Sequence, residues 1–479
     1  MSATRIKKNF TEGPLFFRIT LFALPIMLTG MLQIFYGMAD HIIVGRYSSD
    51  PNALAAVGCT GSLTSLIVNL LLGIGGGAGV VVAQCYGAKD DERVSKAVHT
   101  SLIFSLIGGI VFSALGLLVS RPVLTLMGTN PEIIDSATLY FRIICIGIPA
   151  NAVYNFGAAI LRSTGDSKTP LIILSSTGIV NVLLNLFFVI VCHMSVEGVA
   201  IATIASQYLS AVAVIIVLML KKGESFGFSF SKLCFNKALF VAILKYGIPA
   251  GIQSSMFNFA NVLLASAVNT FPTTTVTANT IAGSVDAITY IAMNSFAHAS
   301  MTFVGQNYGA LKKERIKKSI IYCVVQVLLV GSLVSGLELI FKEELVNLFM
   351  DSAAADKAIV TETVLPLITL LLTAYIICGV MDVVSGVLKG LGFALTPMII
   401  SMLCICGVRI FWIYVIFPMD SFHSITGLYT AYPVSWTLAL IAMLITLVFA
   451  YKKIRLLKSN DGNTEGAEPA ERALSAENK

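Results

Sequence analysis

Charge is what this sequence has least of. Asp, Glu, Lys and Arg make up 12% of its 479 residues, about half the share found in ordinary soluble domains. So few charges cannot clothe a chain of this size in a hydrated surface, which excludes a soluble globule. Histidine is scarce too: five scattered residues form no ligand cluster, so no metal site is expected. The nine cysteines, at 59, 85, 145, 192, 234, 323, 378, 404 and 406, lie mostly inside apolar runs and form no CxxC. They read as small apolar packing residues rather than a disulfide framework or a thiolate centre. The stretch "GIGGGAG" at 73–79 lacks the Lys-Ser/Thr of a phosphate loop, so it predicts close helix packing through Gly73 and Gly77. No other phosphate-binding signature supports an ATP-driven pump on a single chain, and no cofactor is implied beyond a coupling ion.

What the chain has in abundance is apolar residues, 56% of the total, gathered into blocks near or above the roughly 20 residues that cross a hydrocarbon core. Charged and Pro/Gly breaks place spans near 15–40, 52–84, 97–120, 136–160, 170–192, 197–220, 239–268, 274–305, 319–341, 358–388, 395–417 and 425–451. In lipid each block must satisfy its own backbone polar groups, and the absence of period-2 alternation excludes a β-barrel. The expected fold class is an all-α polytopic membrane protein with twelve transmembrane helices and the lipid bilayer as its partner. With both termini cytoplasmic, the inner segments carry 26 Lys and Arg, and the outer loops carry only Arg46, Arg121, Lys342 and Lys357, while Arg142 and Arg409 lie within spans. The net charge of +6 is therefore a positive-inside signature of a multi-pass protein of the cell membrane, not a sign of nucleic-acid binding.

The chain also repeats itself. "ILRSTGDSKTP" (160–170) aligns with "VLKGLGFALTP" (387–397) at an offset of 227, matching Leu161/Leu388, Arg162/Lys389, Gly165/Gly392, Thr169/Thr396 and Pro170/Pro397. "QCYGAKDDERVSK" (84–96) aligns with "QNYGALKKERIKK" (306–318) at an offset of 222, and "ALPIM" and "GIPAG" place Pro25 and Pro249 early in the first and seventh spans. Motifs in the same order after corresponding spans indicate a duplicated half. Six spans per half give both halves one orientation, so the two bundles should be parallel and related by a pseudo-twofold axis along the membrane normal. The expected boundaries are 1–222 for the first six-helix bundle, 223–455 for the second, and a polar tail at 456–479 that is too poor in apolar residues to order. Gly, Thr-Pro and basic residues in the matched loops suit tight turns near anionic headgroups.

Twelve spans in two halves, "Q-x-Y-G-A" after the second and eighth, and "L-[RK]-x-x-G-x4-P" after the fourth and tenth together resemble the multidrug and toxic compound extrusion (MATE) transporters over about residues 10–455. The resemblance implies a secondary antiporter that expels small organic, often cationic, compounds in exchange for H⁺ or Na⁺ by alternating access between two six-helix bundles. No enzymatic activity is implied, and a monomer is expected.

An intramembrane carboxylate costs at least about 2.5 kcal/mol to insert and marks a functional site by default. Asp40 (first span), Asp286 (eighth) and Asp382 (tenth) stand out. Gln33, Tyr36, Gly37 and Asp40 share one helix face, and an acid poised there can trade a proton for a cation. In similar MATE proteins an aspartate at this place serves coupling and release, which the resemblance carries onto Asp40. Relatives with a proton site in this half often pair Asn with Asp in the fifth span, whereas this chain has Asn181 and Asn185. Sodium-coupled relatives tend to carry a glutamate in the seventh span, where this chain offers Gln253, Ser254, Ser255, Asn258 and Asn261. Protons are therefore favoured over sodium. Asp382 falls on Asn155 at the repeat offset, and a neighbouring Arg409 is expected either to neutralise it or to leave it for a cation. Asp286 has the same two readings. Tyr290, with Tyr36, Asn155, Asn181, Asn185, Asn258 and Arg409, completes the cavity candidates. An alternative function, translocation of a lipid-linked precursor or other amphiphile, remains open. Three intramembrane acids against Arg142 and Arg409 favour export of cations.

Overall fold

A computed structural model describes residues 9–48, 52–349 and 356–459. Among these residues there is no strand; the chain is a series of long helices. In order they are α1 (Leu15–Tyr47), α2 (Ala53–Gly87), α3 (Asp91–Leu126), α4 (Ile134–Ser163), α5 (Lys168–Val191), α6 (Val196–Leu220), α7 (Lys237–Val268), α8 (Thr273–Gly309) and α9 (Lys313–Ile340). Then follow a short α10 (Lys342–Phe349), α11 (Lys357–Gly390), α12 (Leu395–Ile416), a one-turn α13 (Ile425–Tyr429) and α14 (Ala431–Ser459). Leaving out the short α10 and α13, these are the twelve membrane helices of the expected fold class. Ten candidate spans are long and apolar enough to cross a bilayer. The long helices α7 and α8 fall outside that group because Ser, Thr, Asn and Gln interrupt their apolar runs. The expected tail, 456–479, lies outside the described residues from position 460 onward.

Contacts divide the chain into two compact units, one containing Leu28–Gly251 and the other Phe10–Met27 with the chain from Ile252 onward. These units are not the sequence halves 1–222 and 223–455. The first part of α1 is packed into the second unit, and the first part of α7 into the first. Both changeovers fall two residues beyond a proline, Pro25 in α1 and Pro249 in α7. A proline inside a helix removes one ladder hydrogen bond and clashes with the preceding turn, so the helix is weakest where it passes from one unit to the other.

In the first unit α4 is central, packed by α2, α3 and α6. Glycines set the close approaches: a Cβ added at Gly73 would lie 2.3 Å from Gly251 Cα, and one at Gly77 would lie 2.3 Å from Gly247 N. The "GIGGGAG" stretch is thus a helix-packing surface between α2 and the first part of α7. The second unit centres on α8 and α11, with α9 and α14 around them. Its core runs through Phe303, Met293, Leu367, Leu371, Val383 and Leu388, all at most 2% exposed.

The duplicated loops coincide at the level of single hydrogen bonds. Gly165 and Gly392 both take left-handed conformations (φ +93° and +95°), and each N–H reaches back 2.9 Å, to Arg162 O and Lys389 O respectively. In the other loop pair the left-handed residues are Lys89 and Leu311, at the 222-residue offset, following Ala88 N to Gln84 O and Ala310 N to Gln306 O, each 3.0 Å. Glycine fits the αL position without steric cost.

Candidate functional site

Helix α1 runs on to Tyr47, so Asp40 lies two turns inside a helix and does not cap its end. Its carboxylate Oδ1 accepts a 2.5 Å hydrogen bond from Asn185 Nδ2, and the same amide reaches Asn181 Oδ1 at 3.3 Å. Asn185 is fully buried and Asn181 is 5% exposed. The i, i+4 spacing puts both asparagines on one face of α5, which explains the chain Asp40–Asn185–Asn181. Tyr36, one turn before Asp40, donates to Ser175 O at 3.1 Å, and its ring lies against Gly178. No cation lies within ion-pair distance of Asp40 among the described residues. Gln33 belongs to the expected stripe but is exposed and makes no hydrogen bond to these residues. Asn155 is turned along its own helix, bonding Asn151 O at 3.0 Å and Asn151 Oδ1 at 2.8 Å.

The second unit carries a longer polar stripe. Asp286, Tyr290 and Asn294 follow one another at i, i+4 on α8, facing Tyr375, Cys378 and Asp382 on α11. Tyr375 donates from its hydroxyl to Asp286 Oδ2 at 3.0 Å, and Asn294 Nδ2 donates to Asp382 Oδ2 at 3.3 Å. Asn258 is half-buried on α7.

Arg409 does not pair with Asp382, against the neutralising alternative drawn from the sequence. The guanidinium is fully buried, donating to Asn261 Oδ1 at 2.6 Å and Ser435 Oγ at 3.4 Å, and stacking over the Tyr432 ring at 4.4 Å. The cause is local winding. Arg409 lies in a single α-turn between two π-helical turns, Met402–Gly407 and Trp412–Ile416; π turns rotate every later residue relative to a plain α-helix. The sequence carries no simple signal for such a shift.

A fourth interior acid, Glu338, escaped the sequence reading. It sits two residues before the end of α9, where "LELIFKEEL" reads as a charged helix end. It is nevertheless only 6% exposed and accepts a 2.7 Å hydrogen bond from Thr289 Oγ1 on α8. Its burial among apolar neighbours on α9 was the available signal.

Between α4 and α5, Asp166 closes the first copy of the repeated loop. Burial acts to push its carboxyl up, but bonds from Lys221 Nζ (2.7 Å) and Thr169 Oγ1 (2.8 Å), with the Lys221 charge, outweigh this and hold it below the usual carboxylate range. The second copy has Phe393 at the matching position.

Two duplicated sets of six helices, with carboxylates held by neutral donors inside the units, define the class as a polytopic membrane protein with interior acids. The comparisons give the family. The MatE family model matches residues 25–187 and 249–415, one stretch per repeat, and the chain belongs to that family, the MATE transporters. It is 26% identical over 447 residues to the probable multidrug resistance protein YoeA of Bacillus subtilis, covering 92% of this chain and 95% of that protein. The probable multidrug resistance protein NorM of Thermotoga maritima is 26% identical over 397 residues, 81% and 82% of the two chains. An FAD transporter of Shewanella oneidensis is 22% identical over 333 residues, 68% and 73%. Among solved structures, a MOP superfamily transporter from Pyrococcus furiosus, described as having a binding pocket of reverse polarity, superposes with a TM-score of 0.87 at 20% identity, covering 95% of this chain and all of that one. An outward-facing multidrug resistance MATE transporter superposes at 0.85 and 20% identity, covering 96% and 100%.

Proposed function

We propose that the protein exports small organic, mainly cationic, compounds across the cell membrane by alternating access, driven by inward movement of protons. Both termini are then cytoplasmic, in keeping with the distribution of Lys and Arg. The observation that carries this reading is Asp40, an acid inside a membrane helix held by one neutral amide and no cation. Ionised, it attracts a cationic substrate or coupling ion; protonated, it is neutral and lets go. Asn181 and Asn185 position the carboxyl without titrating. In the second unit Asp382 and Asp286 are the corresponding coupling acids, each likewise held by a neutral donor. The relatives named multidrug resistance proteins support drugs and toxic compounds as substrates.

The test is efflux of a fluorescent organic cation from proteoliposomes under an imposed pH gradient and, separately, a sodium gradient. Proton coupling predicts transport in the first condition, abolished in Asp40→Asn. Wild-type rates and retained coupling in Asp40→Asn would refute the assignment, and transport driven only by sodium would move the coupling to Asp382.

A second reading, export of an anionic amphiphile such as a lipid-linked precursor, is favoured by Arg409, a buried guanidinium paired with no carboxylate. The FAD transporter among the relatives belongs with it. Counterflow of flavin nucleotides that fails to appear while organic cations move would dismiss it.

A further inference from the structure

We propose that Glu338 and Asp286 form a carboxyl pair that binds and releases a proton within the second unit, a site additional to Asp40 and Asp382. Thr289 lies three residues after Asp286 on α8, so the two share one face of that helix. The hydroxyl of Thr289 holds Glu338 Oε2 at 2.7 Å, and that of Tyr375 holds Asp286 Oδ2 at 3.0 Å. The Glu338 carboxyl, from α9, is thereby held against the face of α8 that carries Asp286. Its other oxygen, Oε1, is buried and receives no hydrogen bond.

Among the described residues, no group around the pair forms an ion pair with it. From α8 comes Tyr290; from α11, Tyr375, Cys378 and Asp382; from α13 and α14, Tyr429 and Tyr432; and Arg409 of α12 is spent on Asn261, Ser435 and the Tyr432 ring. On α10, beyond the end of α9, Glu343 and Glu344 add only negative charge, and Lys342 reaches Thr369 Oγ1 at 3.3 Å. No Lys or Arg lies within ion-pair distance of Asp286 or Glu338 among the described residues. Two anions so close in a low-dielectric interior without a counter-ion are not both ionised, so the pair retains a proton. The unbonded Oε1 is closed to water, leaving no room for a metal cation with its several oxygen ligands. A proton needs no such room. The step is simple: one carboxylate oxygen takes up H⁺ to become a hydroxyl, and release reverses it.

The structure also supplies a reporter. The Trp436 ring lies 5.1 Å from that of Tyr375, which holds Asp286, and the only other tryptophan is Trp412. In a full-length Trp412→Phe background in detergent, Trp436 fluorescence should show a transition with pH. Glu338→Gln and Asp286→Asn should each abolish it or move it by at least one pH unit, whereas Asp40→Asn, in the other unit, should leave it in place. A transition unmoved by both substitutions, or absent from the parent, overturns the proposal. Should Glu338→Gln fail to fold, Thr289→Val keeps both carboxyls and must still move the transition; an unmoved transition again overturns it. The role of the pair in transport rests on the proton-coupled reading above: Glu338→Gln should slow pH-driven efflux at least tenfold. Proton binding itself does not rest on that reading, because sodium-driven transport would refute the reading while leaving the fluorescence titration intact.

Discussion

Asp40 and Asn185 form a pair in which each partner needs the other. Removing the amide leaves an interior carboxylate without its donor, a loss of about 1–3 kcal/mol, and removes the group that fixes its direction. Asn185→Leu is therefore expected to slow pH-driven efflux by tenfold or more, while Asn185→Asp, which adds a second acid, should retain export with an altered pH profile; proteoliposome efflux across a pH series checks both. Asp166 gives a second expectation at this scale. Its folded carboxyl titrates below the ordinary value of about 4, so the stabilisation is present at neutral pH and is lost as pH falls through the folded value. Asp166→Asn should lower the melting temperature by a few degrees at pH 7, with the difference from the parent narrowing as pH falls below the ordinary carboxylate range. Equal melting temperatures at pH 7 would show that the Lys221 bond contributes nothing.

Helix packing was legible from composition where it depends on missing side chains, and illegible where it depends on backbone winding. Gly73 and Gly77 announced their role in sequence because only residues without a side chain let two backbones meet so closely. Gly77→Ala is expected to cost about 1–3 kcal/mol through overpacking against Gly247, whereas Gly76→Ala meets nothing within 4 Å and should be neutral; thermal unfolding of the purified variants separates them. The i, i+4 spacing of Asn181 and Asn185 puts both on one face of α5, since plain α-helical periodicity holds up to Leu186, but that this face meets Asp40 comes from the packing and was not read from the sequence. On α12 the same arithmetic failed, because the π turn at Met402–Gly407, ahead of Arg409, shifts its direction relative to a plain α-helix. Glu338 was overlooked for a related reason. Proximity to a helix end suggests exposure, yet Glu338 is buried and bonded to Thr289 of α8.

For the molecule as a whole, the repeat was readable to the residue, since Lys89/Leu311 and Gly165/Gly392 close matching turns at the offsets the sequence displays. The membership of the compact units was not. Pro25 and Pro249 mark where α1 and α7 change unit, but a proline states only that a helix is weak there, and which neighbour each end joins is settled by packing across more than 200 residues. Segments leading into both helices are tied down accordingly. Phe10 N donates to Gln306 Oε1 at 2.9 Å with its ring stacked on Phe303 at 3.9 Å, and Asn236 N donates to Thr100 Oγ1 at 3.0 Å. A chain cut between Lys222 and Gly223 thus yields two fragments, each missing part of a compact unit: residues 223–251 from the first and 10–27 from the second. Expressed alone, neither fragment should survive extraction as a monodisperse species. Co-expressed, they should copurify through a tag on either one and recover efflux to within a few-fold of the intact chain. Stable, monodisperse fragments that ignore each other would mean that the exchanged helix ends are not needed to complete either unit.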